Sequence, residues 1–569
     1  MSVAWRFRTL VLVVLLGFFC LLGRIVDLMV FNRNFLLTQG DARSIRVDSI
    51  PAYRGMITDR NGEPLAVSTP VASIWLDPVQ FKATPEQIQF VANLLNIDPS
   101  QITNLVANNP KRQFVYLERD LDPTVGTQID AQHIPGIFVE NEFKRYYPDG
   151  EVTAQLVGLT DIDDQGQEGM ELAFNKTLSG IPGKQRVLQD RLGRVFANMA
   201  LLQAPKPGQD LHLSIDQRIQ FLAYQALVDQ IKQSQAQSGT VVVMDVKTGE
   251  VLAMANAPSY NPNDRPQFDS VRFRNQAVTD IFEPGSTAKA FSASNALMSG
   301  LFTPDTIVDT RPGYIVIQGH RIDDDADYGV LTVTGVLQKS SNVGATKMTL
   351  ATQPGSLYNL LSNAGFGQIT ASGFPGESSG ILYNHKKWPP IDSATMAFGY
   401  GFAVTDLQLA QAYSMLAAGG IKRPVSLLRI DGTPPAGVRV MPQIVANQVV
   451  KMMEAVIEEG GSATDASIPG YTVSGKTGTA RILGASGYEL NHHTAVFVGI
   501  VPATNPRLVC AVMIKDPDPT GNQYFGGEVS APVFQKVMSG ALRILNIPPD
   551  NMNGPNQSSV ENANTTISN

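Results

Sequence analysis

Residues 9–23 form an unbroken apolar run behind Arg6 and Arg8, and a second apolar stretch follows Arg24. As a helix the first run measures about 22 Å, short of the roughly 30 Å hydrocarbon core of a bilayer, so the span is expected to reach residue 31. Arg24 and Asp27 then sit near one interface, spaced i, i+3 for an ion pair. No Ala-x-Ala-like site follows the run, which favours a retained anchor at 9–31 over a cleaved signal peptide. Residues 1–8 are expected on the cytoplasmic side, on a slight bias, since Arg24 and Arg33 follow the span as Arg6 and Arg8 precede it.

Beyond the anchor the hydrophobic periods shorten. Residues 54–66 read as a strand, an Asn61-Gly62 turn and a return strand, and helical spacing covers 87–95 and 123–131. Turn residues are dense from Tyr146 to Gly183, so residues 32–205 are expected to form an irregular α+β domain. Pro205-Lys206-Pro207-Gly208 marks a boundary. After it come a strand at 211–216, a helix at 217–233, and two continuous apolar runs, 240–245 and 250–255, joined at Lys247-Thr248-Gly249 as a buried hairpin.

Alanine-rich residues 287–297, closed by Gly300, predict a helix. Helices at 333–339, 357–364 and 407–416 give an all-helical insertion, the last opened by a capping box at Thr405 and Gln408. Strands return at 471–474, 494–501 and 508–514, and 532–545 is a terminal helix. The predicted class is α+β, with 206–547 an antiparallel sheet flanked by helices. Residues 548–569 are rich in Asn, Ser and Pro without a period and are expected to be disordered.

At 569 residues, 43% of them hydrophobic, the chain is too long for one core. Its net charge of -7, with no cluster of lysine and arginine, argues against a nucleic-acid partner. Cys20 and Cys510 lie in apolar runs and read as packing residues. Six scattered histidines offer no ligand spacing beyond adjacent His492 and His493, so neither a metal nor a cofactor is expected.

Ser286 and Lys289 form the only Ser-x-x-Lys in the chain. At the start of a helix the two share a face, so the amine can activate the hydroxyl as a nucleophile. Ser340-Ser341-Asn342 and Lys476-Thr477-Gly478-Thr479 complete a set whose order along the chain is that of a serine acyl-transfer enzyme. Earlier copies, Ser259-Tyr260-Asn261 and Lys247-Thr248-Gly249, precede the serine and are out of order. In this reading Lys289 is the base, its pKa held down by crowding from Lys476, and Ser340 relays a proton to the departing amine. Asn342 would hold the substrate amide, and Thr477 and Thr479 a substrate carboxylate, with Gly478 leaving room alongside the strand. The backbone N–H groups of Ser286 and Thr479 are the candidate oxyanion donors.

With these motifs the chain resembles the class B penicillin-binding proteins, most nearly their cell-division members. The likeness extends to Arg54-Gly55, Arg145-Tyr146-Tyr147-Pro148, Gly166-Gln167-Glu168-Gly169-Met170-Glu171 and Tyr524-Phe525-Gly526-Gly527-Glu528. The resemblance implies a bitopic inner-membrane protein with an elongated pedestal at 32–205 and a periplasmic transpeptidase domain at 206–547. Its substrates would be the D-Ala-D-Ala stem peptides of peptidoglycan, and β-lactams would be covalent inhibitors. Its implied partners are a glycosyltransferase of the FtsW type, packed on the anchor, and other division proteins. One departure is Asp406, where the family usually has proline; both suit the first turn of a helix, and little effect is expected.

Two other readings share the motifs. A β-lactamase needs a base that hydrolyses the acyl-enzyme, supplied in class A enzymes by a Glu-x-x-x-Asn, and no glutamate between Asn342 and Lys476 has that partner. Glu171 and Asn175 match the spacing but precede the nucleophile. A β-lactam sensor usually has several membrane spans, and here only one is expected. An elongation-type or condition-specific transpeptidase remains compatible with the same residues.

Overall fold

The computed structural model describes residues 3–189, 195–264, 270–385, 388–484, 487–521 and 523–551. The apolar run is helical over Val3–Val26 and continues as a π-helical segment, Asp27–Phe31. Ala4–Phe31 has a mean hydropathy of 2.6 in its most apolar window and is long enough to cross a bilayer. Arg24 Nη1 donates to Asp27 Oδ2 at 2.6 Å, the i, i+3 pair read from the spacing, and Asn32 Nδ2 donates to Asp27 Oδ1 at 2.7 Å. Of the tail expected to be disordered, residues 552–569 lie outside the described residues.

The chain forms two compact units, and their boundary is not linear. One contains residues 1–55, 68–144 and 179–209; the other contains 56–67, 145–178 and 210–569. A single cut after residue 205 therefore differs from the structure at 56–67 and 145–178, which belong with the C-terminal unit. The reason lies in buried polar anchoring. Asp59 accepts from Asn61, Glu63 and Gln217 backbone N–H groups, Tyr147 N donates to Asn263 Oδ1 at 2.9 Å and Gln220 Nε2 to Val152 O at 2.8 Å, and within 145–178 the fully buried Arg145 donates to the equally buried Glu171 at 2.6 Å. A buried pair of this kind holds its partners together because removing one member leaves an uncompensated charge. Glu171, the only Glu-x-x-x-Asn match considered above, is thus half of an ion pair.

In the N-terminal unit, Ile45–Ile50, Gly183–Gln189 and Val195–Gln203 form an antiparallel three-stranded sheet. The second half of Pro64–Leu76 pairs with Val115–Leu121 and Ile137–Tyr146. Three helices, Pro85–Leu95, Pro99–Asn108 and Pro123–Asp130, share one design: Thr84, Asp98 or Asp122 caps the first turn, and proline follows at the first helical position. Their apolar faces close over Ile74, Leu76, Val91, Ile102 and Ile129.

The C-terminal unit is built on a five-stranded antiparallel sheet. Its order runs from Val251–Ala257 through Ser238–Asp245, Leu508–Lys515 and Gly487–Val501 to Ser474–Gly484 at the edge. The apolar runs read as continuous because both faces are covered. Val242, Met244, Val496, Val498 and Ala511 enter one core, while Val241, Val243, Phe497, Cys510 and Val512 enter the other. Helices Gln217–Ser234 and Ala531–Ile544 supply residues to the second core; Lys289–Met298 and Asp406–Ala417 supply the first. The Thr405–Gln408 capping box is formed in both directions. Lys247-Thr248-Gly249 is the hairpin turn between the first two strands, which removes it as a candidate motif. The insertion is not all helical: short antiparallel pairs, Ile307–Asp309 with Val330–Thr332 and Tyr314–Ile317 with His320–Asp323, lie in it beside the helices Asn342–Ala351, Pro390–Ala397 and Gln443–Glu454, none of which a strong period marks.

Candidate active site

Ser286 lies in a 3₁₀ turn, Gly285–Ala288, that leads into the helix Lys289–Met298. In a 3₁₀ turn residues i and i+3 eclipse rather than splay, which stacks Lys289 directly over Ser286. Lys289 Nζ stands 2.9 Å from Ser286 Oγ. Gly285 has φ of +52°, a conformation that suits glycine, and its N–H donates to Gly399 O at 3.1 Å. Tyr413 is completely buried, and its hydroxyl donates to Thr287 O at 2.8 Å, fixing the same turn from the core side.

Ser340 carries a positive φ of +55° at the junction between the helices Val333–Gln338 and Asn342–Ala351. A non-glycine residue held there is strained and persists only where its surroundings over-determine it. Asp324 does so: Ser341 Oγ donates to it at 2.6 Å and Val343 N at 2.9 Å. As a result Ser340 Oγ sits between two amines, 3.2 Å from Lys289 Nζ and 3.0 Å from Lys476 Nζ. Asn342 Oδ1 accepts from Lys289 Nζ at 2.7 Å, and Asn342 Nδ2 donates to Asp323 O at 2.8 Å.

Lys476, Thr477, Gly478 and Thr479 lie on the edge strand Ser474–Gly484, where alternate residues point to opposite faces. Lys476 reaches Ser340 on one face. A Cβ added at Gly478, on the same face, would meet Pro284 O at 2.7 Å and Thr287 Cγ2 at 3.0 Å. The glycine therefore permits contact with the nucleophile turn, which corrects its reading as space for substrate. On the other face Thr477 Oγ1 pairs with Ser462 Oγ at 2.8 Å, and Thr479 Oγ1 accepts from Gly526 N at 3.1 Å. Each threonine hydroxyl retains hydrogen-bonding capacity.

Both lysines are buried, and burial sets their charge. It lowers Lys289 to about 7, against the opposing pull of the Asp324 and Asp325 carboxylates. Lys476 is driven well below the usual lysine value by burial first and by Lys289 second. Crowding thus acts on Lys476, and desolvation is what depresses Lys289, a correction to the cause inferred from the motifs. Lys289 Nζ faces four oxygens, those of Ser286, Asn342 and both the side chain and carbonyl of Ser340. In its neutral form the amine can donate to two of them and accept the Ser286 proton. Asp324, Tyr413, Ser462 and Gly526 were missed in the sequence; only Gly526 lay in a quoted motif.

Residues 239–539 match the penicillin binding protein transpeptidase domain, and residues 49–213 match the penicillin-binding protein dimerisation domain. The chain is 45% identical over 548 residues to the probable peptidoglycan D,D-transpeptidase PbpC of Pseudomonas aeruginosa, covering 96% of each. It is 43% identical to the peptidoglycan D,D-transpeptidase FtsI of Escherichia coli, covering 96% of this chain and 93% of that one. Among solved structures, penicillin-binding protein 3 of Mycobacterium tuberculosis in complex with aztreonam is similar with a TM-score of 0.69 at 28% identity, over 88% of this chain and 98% of that one. Both domains, in order and at this identity over nearly the full length, make the chain a member of the class B penicillin-binding proteins.

Proposed function

We propose that the chain is a peptidoglycan D,D-transpeptidase that cross-links stem peptides in the septal wall through a Ser286 acyl-enzyme. The observation that carries this reading is the contact chain from Ser286 through Lys289 and Ser340 to Lys476. Ser286 Oγ attacks the carbonyl carbon between the two terminal D-Ala residues and passes its proton to neutral Lys289. The oxyanion is held by the N–H groups of Ser286 and Thr479. The C–N bond then breaks, and the leaving amine of D-Ala takes a proton through Ser340 Oγ. An amine of a neighbouring stem peptide attacks the ester, forms the new amide and returns the proton to Ser286 Oγ. Thr477 and Thr479 bind the carboxylate of the departing D-Ala, and Asn342 the substrate amide.

The apolar helix Ala4–Phe31 supports a single-pass anchor. With residues 1–8 cytoplasmic, the catalytic unit is periplasmic in the inner membrane, and the anchor packs against a glycosyltransferase of the FtsW type within the division assembly. Incubating the full chain with a D-Ala-D-Ala stem peptide and an acceptor stem should yield a cross-linked dimer and one free D-Ala per link. Release of D-Ala without a dimer would favour a carboxypeptidase, and rapid loss of a bound penicillin label would favour a β-lactamase. Depletion in the native bacterium should give filaments; rounded cells would move the protein to the elongation pathway.

A further inference from the structure

The N-terminal unit contains a cleft of about 830 Å³ that takes no part in this chemistry. Three rings line it: Trp75 stacks on Phe138, with centroids 4.2 Å apart, and Phe114 lies 4.8 Å from Trp75. Phe114 is 44% exposed. Around the rings stand the carboxylates of Asp48, Asp130 and Glu140, the imidazole of His133 and the side-chain amides of Asn141 and Gln185, and Gln185 Nε2 reaches Asp48 Oδ2 at 3.4 Å. Among the described residues no lysine or arginine lines the cleft.

These groups restrict the ligand. With no lysine or arginine among its described lining and with three carboxylates, those of Asp48, Asp130 and Glu140, the cleft repels phosphates, acidic lipids and acidic peptides. Aromatic faces present a large apolar surface that also attracts polarised C–H groups, while planar carboxylates and amides pair with hydroxyl and acetamido groups. A concave site of this size holds a few sugar rings and fixes them with a small number of polar contacts. We infer that this cleft binds the glycan strand of peptidoglycan, a polymer of N-acetylated amino sugars. The inference rests on the transpeptidase reading, since the strand that carries the stem peptides is then the polymer at hand. A strand held here would supply its stem peptides at high effective concentration.

The three tryptophans of the chain are Trp5, Trp75 and Trp388, and only Trp75 lies in the cleft. The full chain in detergent is titrated with tetra-N-acetylchitotetraose while tryptophan emission is recorded. A saturable change is expected, absent in Trp75→Phe and shifted to about tenfold higher concentration in Phe114→Ala and in Glu140→Gln, with melting temperatures unchanged for the exposed Glu140 variant. No saturable change up to about 10 mM overturns the inference, as does an identical curve in Phe114→Ala and Glu140→Gln. Tighter binding of tetralysine than of the tetrasaccharide overturns it in favour of a basic peptide. Fluorescent penicillin labelling is followed on the same samples. Failure to label with sugar binding intact contradicts the catalytic reading and leaves the cleft standing.

Discussion

Lys289→Arg is expected to slow acylation of Ser286 by penicillin roughly 10²- to 10⁴-fold, the range for loss of a positioned general base. Arginine keeps the positive charge but does not give up its proton, so it separates basicity from simple electrostatics. The expectation follows from the burial of Lys289 and from its 2.9 Å contact with Ser286 Oγ. In the wild type the acylation rate should climb as pH rises through about 7, where Lys289 loses its proton. Stopped-flow labelling between pH 5.5 and pH 8.5, about one and a half units either side, would record both effects. A rate that falls with rising pH across that range would mean that the ammonium form is the active one. Equal melting temperatures for variant and wild type would separate lost chemistry from lost folding.

Asp406→Asn is expected to stabilise the protein at pH 8 and to change little near pH 4. Asp406 opens the helix Asp406–Ala417 as its first residue, as its position after the capping threonine suggested, but it is completely buried. Thr240 Oγ1 donates to Oδ2 at 2.7 Å, and among the described residues Oδ1 has no partner. Burial raises this carboxyl to about 7, with the Thr240 contact opposing. A carboxyl raised above its unfolded value of about 3.9 stabilises the fold only while protonated, so the wild type loses stability between about pH 4 and pH 7 and levels off above. The interval corresponds to about 4 kcal/mol as an upper bound. Thermal denaturation at several pH values measures it. A difference between variant and wild type that does not grow from pH 4 to pH 8 would remove Asp406 as its source. The small effect expected of an aspartate in the first turn of a helix thus gives way to the cost of a buried acid.

That contrast shows how far sequence reasoning carries. Hydrophobic periodicity marked the membrane helix and four strands of the five-stranded sheet, because continuous apolar runs demand cover on both faces; the edge strand Ser474–Gly484 meets the expected 471–474 at one residue only, its small and polar residues giving no apolar run. Ser286, Lys289, Ser340, Asn342 and Lys476, named from the motifs and their order, form one chain of hydrogen-bond contacts. Their environment was harder to read. Asp324 is one member of an acidic run, Asp323-Asp324-Asp325, and its grip on Ser341 and Val343 depends on a hairpin, Tyr314–Ile317 with His320–Asp323, that no strong period announces. The cause of the lowered Lys289 pKa was misassigned because depth of burial is a property of packing, not of spacing. The segments 56–67 and 145–178 join the C-terminal unit through contacts such as Asn61 with Asp216, 155 residues apart, for which no local pattern is a guide.

The central claim is that Ser286 carries the acyl group. Intact-protein mass spectrometry of the full chain after exposure to penicillin, followed by digestion, reads it directly. One adduct of the whole antibiotic is expected, confined to the peptide containing Ser286 and persisting for many minutes, and none in Ser286→Ala. An adduct on any other residue, or undiminished labelling of Ser286→Ala, would contradict it.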